Sequence, residues 1–464
     1  MRATRGLLAA LAAVLMAITA YAVAIRIAYP FELEWMEGAM AVHVGRLLRG
    51  QPLYVEPTLA FVPFAYPPLY YYVCAPIALL TGEGFAPLRM ISVAATMMTA
   101  LSIASIVRRV SGAVAAWAAC GAFAGAYALS DAWFDLGRVD ALYVALLAAT
   151  YLAAIRAATR IDWALAGALA ALAFMTKQPA VVALAPLALR LLIVDRRAAL
   201  FFCGSFAALS AAILVILWIA TDGWYSYYVF HLPALRLRVS PRSARTLSFW
   251  TSDLLPFAIA LGMGVAIAIR KREWRHIALV TGLIVSAWMS RVEGGAWNNT
   301  VIPAYLTCAI LLGLSLRPEL PAPLLRHALA AGQLVILLYD PRAFIPTAQH
   351  RVEGEAFRES LRTMNAPVWV LDHSFWPTQA GRREFAHGWA ITDVVWADRS
   401  AIGKKLEAEI RDAIAHRNVA TIVLDDERSW FFADIAAQYY RAGELRGPRP
   451  LSGAPRQPRF VYQK

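Results

Sequence analysis

The organisation of this sequence is decided by one stretch, residues 32–72, which reads ELEWMEGAMAVHVGRLLRGQPLYVEPTLAFVPFAYPPLYYY. It follows the first apolar segment directly and begins with three carboxylates, Glu32, Glu34 and Glu37. An amphipathic run comes next and ends at Gly50. Ionisable groups beside a membrane-entry helix are costly and are generally kept for function. We therefore interpret the stretch as a catalytic loop outside the membrane; the alternative is an ordinary amphipathic surface helix with solvated charges.

The composition is that of a polytopic membrane protein, since 60% of the 464 residues are hydrophobic and only 16% are charged. Most of the net charge of +13 falls in short loops between apolar runs, which is the positive-inside pattern. No basic face with interleaved aromatic residues accompanies it, which argues against a nucleic-acid partner. All four cysteines lie in apolar segments, so neither a disulfide framework nor a thiolate metal site is expected.

Eleven apolar runs approach the length of about 20 residues that a helix needs to cross a bilayer. They are 6–28, 86–107, 112–129, 139–156, 161–176, 179–194, 199–220, 252–269, 276–291, 299–316 and 323–339. The first could be a signal peptide, but the further spans favour an uncleaved helix. The sequence thus predicts an α-helical polytopic membrane protein with about 11 transmembrane helices.

The basic clusters between these runs predict the orientation. They lie at 2–5, 108–109, 156–160, 196–197 and 270–275. They share the cytoplasmic side only if the short apolar run 67–80 does not cross, so we predict a re-entrant or interfacial helix there. The N-terminus is then cytoplasmic, and the external segments are 29–85, 130–138, the turn at 177–178, 221–251, 291–298 and everything after 340.

Two domains are predicted, a membrane domain over 1–339 and an extracytoplasmic domain over 340–464. The second has apolar strand-like runs at 368–371 and 421–424, and helical periodicity at 401–417 and 429–441. Alternation of this kind indicates a small α/β fold.

The external segments carry polar residues that are unusual beside membrane spans. Asp135, Arg138 and Asp140 precede or open the run at 139–156, and Lys177-Gln178 separates two apolar runs. An unspecified functional role for the charged residues at 135–140, and anion binding for Lys177, are the functional interpretations. A surface ion cluster and a snorkelling lysine are the alternatives.

Two further external loops have a similar character. The loop 221–251 combines aromatic residues with four arginines, among them Arg242, and arginine forks match phosphate oxygens. The loop at 291–298 begins with Arg291 and Glu293, and Asn298-Asn299 follows a Gly-Gly pair. An aromatic belt with tolerated charges and a flexible polar turn are the respective alternatives.

No common hydrolase, nucleotide-binding or zinc motif is present, and the eight histidines show no paired metal spacing. Asp372-His373, His387 and Asp425-Asp426 remain possible metal ligands, although ordinary strand-end polar residues look the same. A divalent metal therefore stays possible, and no cofactor is firmly predicted.

In order along residues 6–316, several short elements resemble the GT-C superfamily of membrane glycosyltransferases, which includes protein mannosyltransferases and lipid A aminoarabinose transferases. The elements are Glu34-Trp35-Met36-Glu37-Gly38, Gly50-Gln51-Pro52-Leu53-Tyr54, Tyr66-Pro67-Pro68-Leu69, Trp133-Phe134-Asp135, Arg138-Val139-Asp140, Thr176-Lys177-Gln178, Gly294-Gly295, Asn298-Asn299 and Pro303.

The resemblance implies a helical membrane enzyme whose external loops act on a polyprenyl-phosphate-linked sugar, with a first-loop carboxylate as the base. The family usually has Asp, often as Asp-Glu, where this chain has Met36-Glu37. Glu37 is thus the first candidate and Glu34 the second; if the loop is helical, both face one side. The remaining candidate roles are Asp135 and Asp140 for acceptor or cation, Arg138, Lys177, Arg242 and Arg291 for donor phosphate, and Gln178, Glu293, Asn298 and Asn299 for substrate.

The predicted partners are the lipid-linked donor, an envelope lipid, glycan or protein acceptor, and membrane lipids, at the bacterial inner membrane. The second hypothesis is a transporter or flippase of lipid-linked saccharides, which should show inverted repeats and acidic residues at the midplane. Here the charges cluster on one face, which favours the enzyme. The third is an inactive relative that binds lipid.

Overall fold

The structure is a computed structural model that describes residues 2–239, 245–293 and 295–464. Its first two-thirds form a bundle of helices, and the apolar runs of the sequence determine where these lie. The helices are α1 (Arg2–Ile27), α2 (Glu37–Leu48), α3 (Leu69–Thr81), α4 (Phe85–Ser111), α5 (Ala113–Leu129), α6 (Val139–Arg156), α7 (Arg160–Phe174), α8 (Ala180–Val194), α9 (Arg196–Ala220), α10 (Trp224–Ser226), α11 (Leu232–Val239), α12 (Arg245–Ser248), α13 (Ala258–Arg270), α14 (Trp274–Arg291), α15 (Ile302–Leu314) and α16 (Pro323–Ile336).

Each of the eleven predicted apolar runs overlaps one of these helices over most of its length. Among the described residues, five helical stretches are long and apolar enough to cross a membrane, and a bent pair would make a sixth. The five are Arg2–Ile27, Phe85–Ser111, Val139–Arg156, Arg196–Ala220 and Arg245–Arg270, and the bent pair is Pro323–Ile336 with Pro341–Thr363. Other runs give shorter apolar helices, such as Ala113–Leu129 and Ala180–Val194.

Helix α3 returns the chain to the face from which it started. Its 13 residues span roughly 20 Å, which is too short to cross the hydrocarbon core. Glu83, just after α3, forms a salt bridge of 3.2 Å with Arg49 at the end of α2. Arg49 also binds Glu384 of the terminal domain, at 2.9 Å. Both ends of α3 therefore lie on the side of the terminal domain.

The terminal domain is a small α/β unit. Its elements are α17 (Ala348–Thr363), β1 (Val368–Val370), α18 (Phe375–Gln379), α19 (Gly388–Ala397), α20 (Ala401–Ala415), β2 (Thr421–Leu424), α21 (Phe432–Gln438), β3 (Tyr440–Glu444) and β4 (Phe460–Gln463). The sheet has the order β1-β2-β4-β3; β1 and β2 are parallel and the other pairs antiparallel. Both strand-like runs are strands, whereas the helical periodicity at 429–441 ends early, because Tyr440 already pairs with β4.

The terminal domain packs directly onto the first loop. Phe31 stacks on Trp376 with 4.9 Å between the ring centroids. The backbone N–H groups of Leu451 and Ser452 both donate to the carbonyl of Leu33 at 3.0 Å. These contacts hold the three-carboxylate segment between the helix bundle and the terminal domain.

The first of the three carboxylates, Glu32, belongs to this interface. Its Oε2 lies 2.5 Å from Nδ1 of His373, whose Nε2 lies 3.1 Å from Asp425 Oδ2. Burial opposes a charged imidazole, but Asp425 and Glu32 outweigh it and raise the pKa of His373 well above its usual value. His373 is therefore an imidazolium between two carboxylates, an arrangement that joins the domain to the loop and leaves no lone pair for a metal.

Candidate active site

A cavity of about 340 Å³ lies where the external loops meet the terminal domain. Its walls come from the first loop, the starts of α6 and α8, the segment around α11 and α12, the loop before α15, and α19. The charged residues that line it are Glu34, Arg138, Lys177, Arg236, Arg245, Glu293, Asp393 and Arg456. Cations thus outnumber carboxylates on this surface.

Glu34 is the first-loop carboxylate that faces the cavity. Its Oε2 accepts a hydrogen bond of 2.9 Å from Nη1 of Arg138, which also donates to the Tyr66 hydroxyl at 3.2 Å. Burial raises the pKa of Glu34 to about 7, against the opposing charge of Arg138. A carboxylate with that pKa can accept a proton near neutral pH and release it again.

Close contact with the terminal domain fixes the position of Glu34. Gly453 has φ +78°, and a Cβ at this residue would lie 2.8 Å from Cγ of Glu34. Only glycine adopts this backbone conformation without strain and leaves room for the glutamate stem.

Lys177 is held in the cavity wall by Asp140. Lys177 Nζ donates to Asp140 Oδ1 at 2.6 Å, and Asn299 Nδ2 donates to the same oxygen at 3.0 Å. The other oxygen of Asp140 accepts from the indole N–H of Trp133 at 2.9 Å. Asp140 and Asn299 therefore orient the ammonium group of Lys177, whose side chain is 12% accessible.

Glu37 lies elsewhere. Its carboxylate and the guanidinium of Arg89 are both fully buried and form a bidentate pair at 2.6 and 2.8 Å. The backbone N–H groups of Leu33 and Gly137 also donate to it, at 3.0 and 2.7 Å. Burial alone would raise the pKa of Glu37, but Arg89 and these N–H groups hold it below its usual value. Glu37 does not line the cavity, and its geometry is that of a buried structural anchor.

Asp135 also lies outside the cavity lining. It is fully buried, receives a hydrogen bond of 2.7 Å from Arg26 and accepts one of 3.0 Å from the Tyr127 hydroxyl. Arg26 in α1 and Tyr127 in α5 shield the carboxylate, so the contact of Asp135 with an acceptor or a cation stays a prediction that this geometry does not support.

The remaining predicted residues divide between wall and periphery. Gln178 lines the cavity and donates to the carbonyls of Ala65 and Val229, at 2.8 and 3.2 Å. Glu293 lines it beside Arg236, at 3.3 Å. Asn298 and Arg291 do not line the cavity, and Arg291 instead forms a salt bridge of 2.8 Å with Asp253; their predicted roles stay predictions. Arg242 and Gly294 lie outside the described residues.

The structure adds residues to the cavity wall that were not individual site candidates in the sequence. Arg236 bridges Glu293 and Asp393, the latter at 3.0 Å, and burial raises the pKa of Asp393 to about 6. Arg456 and Trp389 complete the wall from the terminal domain. Little in the sequence marks Asp393 and Arg456 as site residues, because polar residues are expected in a polar domain. The arginines of the loop 221–251 did carry a signal, since they break the positive-inside pattern.

The described residues contain no set of ligands for a metal ion. Among the described residues, no group of three His, Cys, Asp or Glu side chains could hold one. Glu34 and Asp140 each have a basic partner instead.

Comparison with solved structures identifies the fold. ArnT from Cupriavidus metallidurans bound to undecaprenyl phosphate matches over 97% of this chain and 97% of that chain, with a TM-score of 0.65 and 12% sequence identity. This chain has the GT-C fold. The apo state of the same ArnT matches over 99% of this chain and 98% of that chain, with a TM-score of 0.66 and 14% identity.

Two further comparisons agree with the GT-C fold. The oligosaccharyltransferase AglB from Archaeoglobus fulgidus, in complex with an inhibitory peptide and a dolichol-phosphate, matches over 92% of this chain and 70% of that chain, with a TM-score of 0.50 and 11% identity. The family model described as dolichyl-phosphate-mannose-protein mannosyltransferase matches residues 65–225. No curated protein matches by sequence. The resemblance to the GT-C superfamily is thus confirmed, and the family match includes Arg138, Asp140 and Lys177.

Proposed function

We propose that this GT-C protein transfers a sugar from a polyprenyl-phosphate-linked donor to an envelope acceptor on the external face of a bacterial inner membrane. One observation carries the proposal. A single cavity presents Glu34, whose pKa lies near neutrality, together with an excess of basic groups. Sugar transfer from a lipid phosphate requires both, a base for the acceptor hydroxyl and cations for the leaving phosphate.

Glu34 is the base of the proposed reaction. The acceptor oxygen attacks the anomeric carbon as its proton passes to the Glu34 carboxylate. The bond between the anomeric carbon and the phosphate oxygen breaks, and its electron pair leaves with the lipid phosphate. Arg138, bound to Glu34 at 2.9 Å, is a positioning residue that balances the carboxylate charge before the proton arrives.

Lys177 is the first candidate for the leaving phosphate, because Asp140 and Asn299 orient its ammonium group towards the cavity. Arg236 and Arg245 lie in the same wall and supply further positive charge. Gln178 and Glu293 are suited to binding the sugar, because the amide oxygen of one and the carboxylate of the other can accept hydrogen bonds from sugar hydroxyls.

A direct transfer assay tests the proposal. Purified protein is incubated with a panel of labelled polyprenyl-phosphate sugars and envelope lipids, glycans or proteins. Wild type should transfer label with at least one pair, and Glu34→Gln should lose transfer while binding the donor normally. Wild-type donor binding without transfer from any donor would refute the proposal and favour a lipid-binding relative.

Orientation is tested separately by cysteine labelling. In a background without the four native cysteines, a cysteine at Glu355 in α17 should react in intact cells. A cysteine at Lys271, after α13, should react only after permeabilisation. Labelling of position 271 from outside would overturn the external placement of the cavity.

A further inference from the structure

A second cavity, of about 370 Å³, lies inside the terminal domain. It is located where the parallel strands β1 and β2 end, since Asp372 follows β1 and Asp426 follows β2 and both line it. The crevice beyond the carboxyl ends of parallel strands is the usual ligand position in α/β sheets. The position therefore favours a binding site over a packing defect.

Asp372 gives this cavity an available acceptor group. No hydrogen bond or salt bridge among the described residues uses its carboxylate. Gly388 leaves room for this carboxylate, since a Cβ at this residue would lie 2.4 Å from Asp372 Oδ1. Burial, reinforced by the Asp425 charge, raises the pKa of Asp372 to about 7, so it can donate or accept a hydrogen bond near neutrality.

Aromatic rings form the rest of the wall. Trp389, Trp430 and Phe431 line the cavity, and Trp430 keeps 39% of its surface exposed. Ser429 Oγ is buried without a hydrogen-bond partner among the described residues. Rings beside a few placed polar groups are typical of sites for small organic ligands.

The charged side chains of the wall, two arginines and two aspartates, give an anionic ligand no net attraction. Arg456, the more enclosed of the two arginines in the wall, already pairs with Asp426 at 2.9 Å. Asp372 adds a second carboxylate to the same space. A phosphate would meet these acids, whereas a neutral polyhydroxylated ligand would hydrogen-bond to them and stack its apolar face on the rings.

The second cavity adjoins the first. Trp389 and Arg456 line both, and Trp389 packs edge-on against Trp35 of the first loop at 5.7 Å between centroids. A chain of sugar units could therefore occupy the two cavities with Trp389 beside their junction.

We propose that the second cavity binds a saccharide unit of the acceptor, next to the unit that receives the transferred sugar. The proposal rests on the proposed glycosyltransferase function and makes it more specific. The acceptor is then an oligosaccharide or a glycolipid with at least two sugar units.

Binding is tested with the full-length protein in detergent on a printed array of bacterial envelope mono- and oligosaccharides. Wild type should bind a subset of the oligosaccharides. Trp430→Ala and Asp372→Asn should each weaken that binding by about tenfold, and Trp430→Phe should restore most of it. Trp274→Ala is the matched control, since Trp274 is an exposed tryptophan at the start of α14, remote from both cavities.

The outcomes separate this proposal from the function on which it rests. Glu34→Gln should keep wild-type array binding and lose transfer; retained transfer would refute the proposed base alone. In transfer assays, Asp372→Asn should raise KM for an oligosaccharide acceptor while kcat and KM for the donor stay unchanged. No saccharide binding by wild type, or wild-type binding by both cavity variants, would overturn the subsite.

Discussion

Replacing Glu37 with Gln should destabilise the protein while leaving the chemistry of the cavity intact. The Glu37 carboxylate accepts four hydrogen bonds, two from Arg89 and one each from the N–H groups of Leu33 and Gly137. Glutamine offers one oxygen and an amide N–H₂ group, and this group must face one of these donors. Arg89 then keeps its charge in a site with no solvent access.

The expected cost follows from the contacts that Arg89 retains. Breaking a buried ion pair by removing one partner typically costs about 3–5 kcal/mol. Arg89 still donates to the carbonyls of Arg26, Tyr29 and Phe31, at 3.1, 2.5 and 2.7 Å. Because these carbonyls stabilise the remaining charge, we expect about 3 kcal/mol, at the lower end. The double variant Glu37→Gln/Arg89→Met should cost less than the sum of the two single changes, since no charge is left unpaired.

The measurement is the free energy of unfolding in mixed detergent micelles, with turnover corrected for the folded fraction. Glu34→Gln is the matched control, because it makes the same chemical change three residues earlier, in the cavity wall. It should reduce kcat by about 10²–10⁴-fold with a smaller loss of stability. The assignment of Glu37 as an anchor would be refuted if Glu37→Gln unfolded like wild type and lost turnover as Glu34→Gln does.

Stability should also depend on pH through Glu37. Because its pKa is held below the usual value, the ion pair stabilises the folded state at neutral pH, and this contribution is lost as the pH falls through the folded-state pKa. Between neutral and acidic pH, the free energy of unfolding should therefore fall more steeply in wild type than in Glu37→Gln. Equal slopes would mean that Glu37 is not the stabilising carboxylate.

Three further predictions concern the cavity. Since the pKa of Glu34 is about 7, kcat should rise with pH up to a plateau above about pH 7, as the base loses its proton, and a profile flat from pH 5 to 9 would exclude this base. Gly453→Ala should lower kcat because the added Cβ would displace Glu34. Gly381→Ala is the control, since Gly381 has φ +70° but no atom lies within 4 Å of an added Cβ, so this variant has the backbone strain alone and should keep its kcat. Equal kcat values in the two variants would contradict a role for the contact between Gly453 and Glu34. Lys177→Met should weaken donor binding or lower kcat by at least tenfold, whereas Arg291→Ala should change stability more than donor binding. If Arg291→Ala weakened donor binding and Lys177→Met did not, Arg291 would be the phosphate ligand instead.

The sequence predicted the architecture because its signals are local. Apolar runs separated by basic loops determine where helices form, and Pro67-Pro68 marks the start of α3. The strands β1 and β2 were visible as short apolar runs in a polar region. By contrast, Tyr440 belongs to a helical pattern in the sequence but to a strand in the structure, because pairing with β4 is a long-range contact.

The sequence indicated that carboxylates and basic side chains would form the candidate site, but not which individual residues would face the cavity. Helical spacing suggested that Glu34 and Glu37 face the same side, but α2 begins at Glu37 and Glu34 lies in the turn before it. Arg89, the partner that buries Glu37, lies inside an apolar run of α4, where nothing local indicates a pairing. Which carboxylate meets which arginine depends on the packing of distant helices, and one sequence does not contain that information.

The contact between Glu34 and Gly453 also bears on how the protein is made. Glu34 leaves the ribosome long before Gly453, which lies against it in the folded protein. The carboxylate therefore lacks its final support until the terminal domain has been made and has folded onto the loop. Under the proposed function, folding of the terminal domain onto the first loop is therefore a checkpoint for activity, because the proposed base is held in place only after that step.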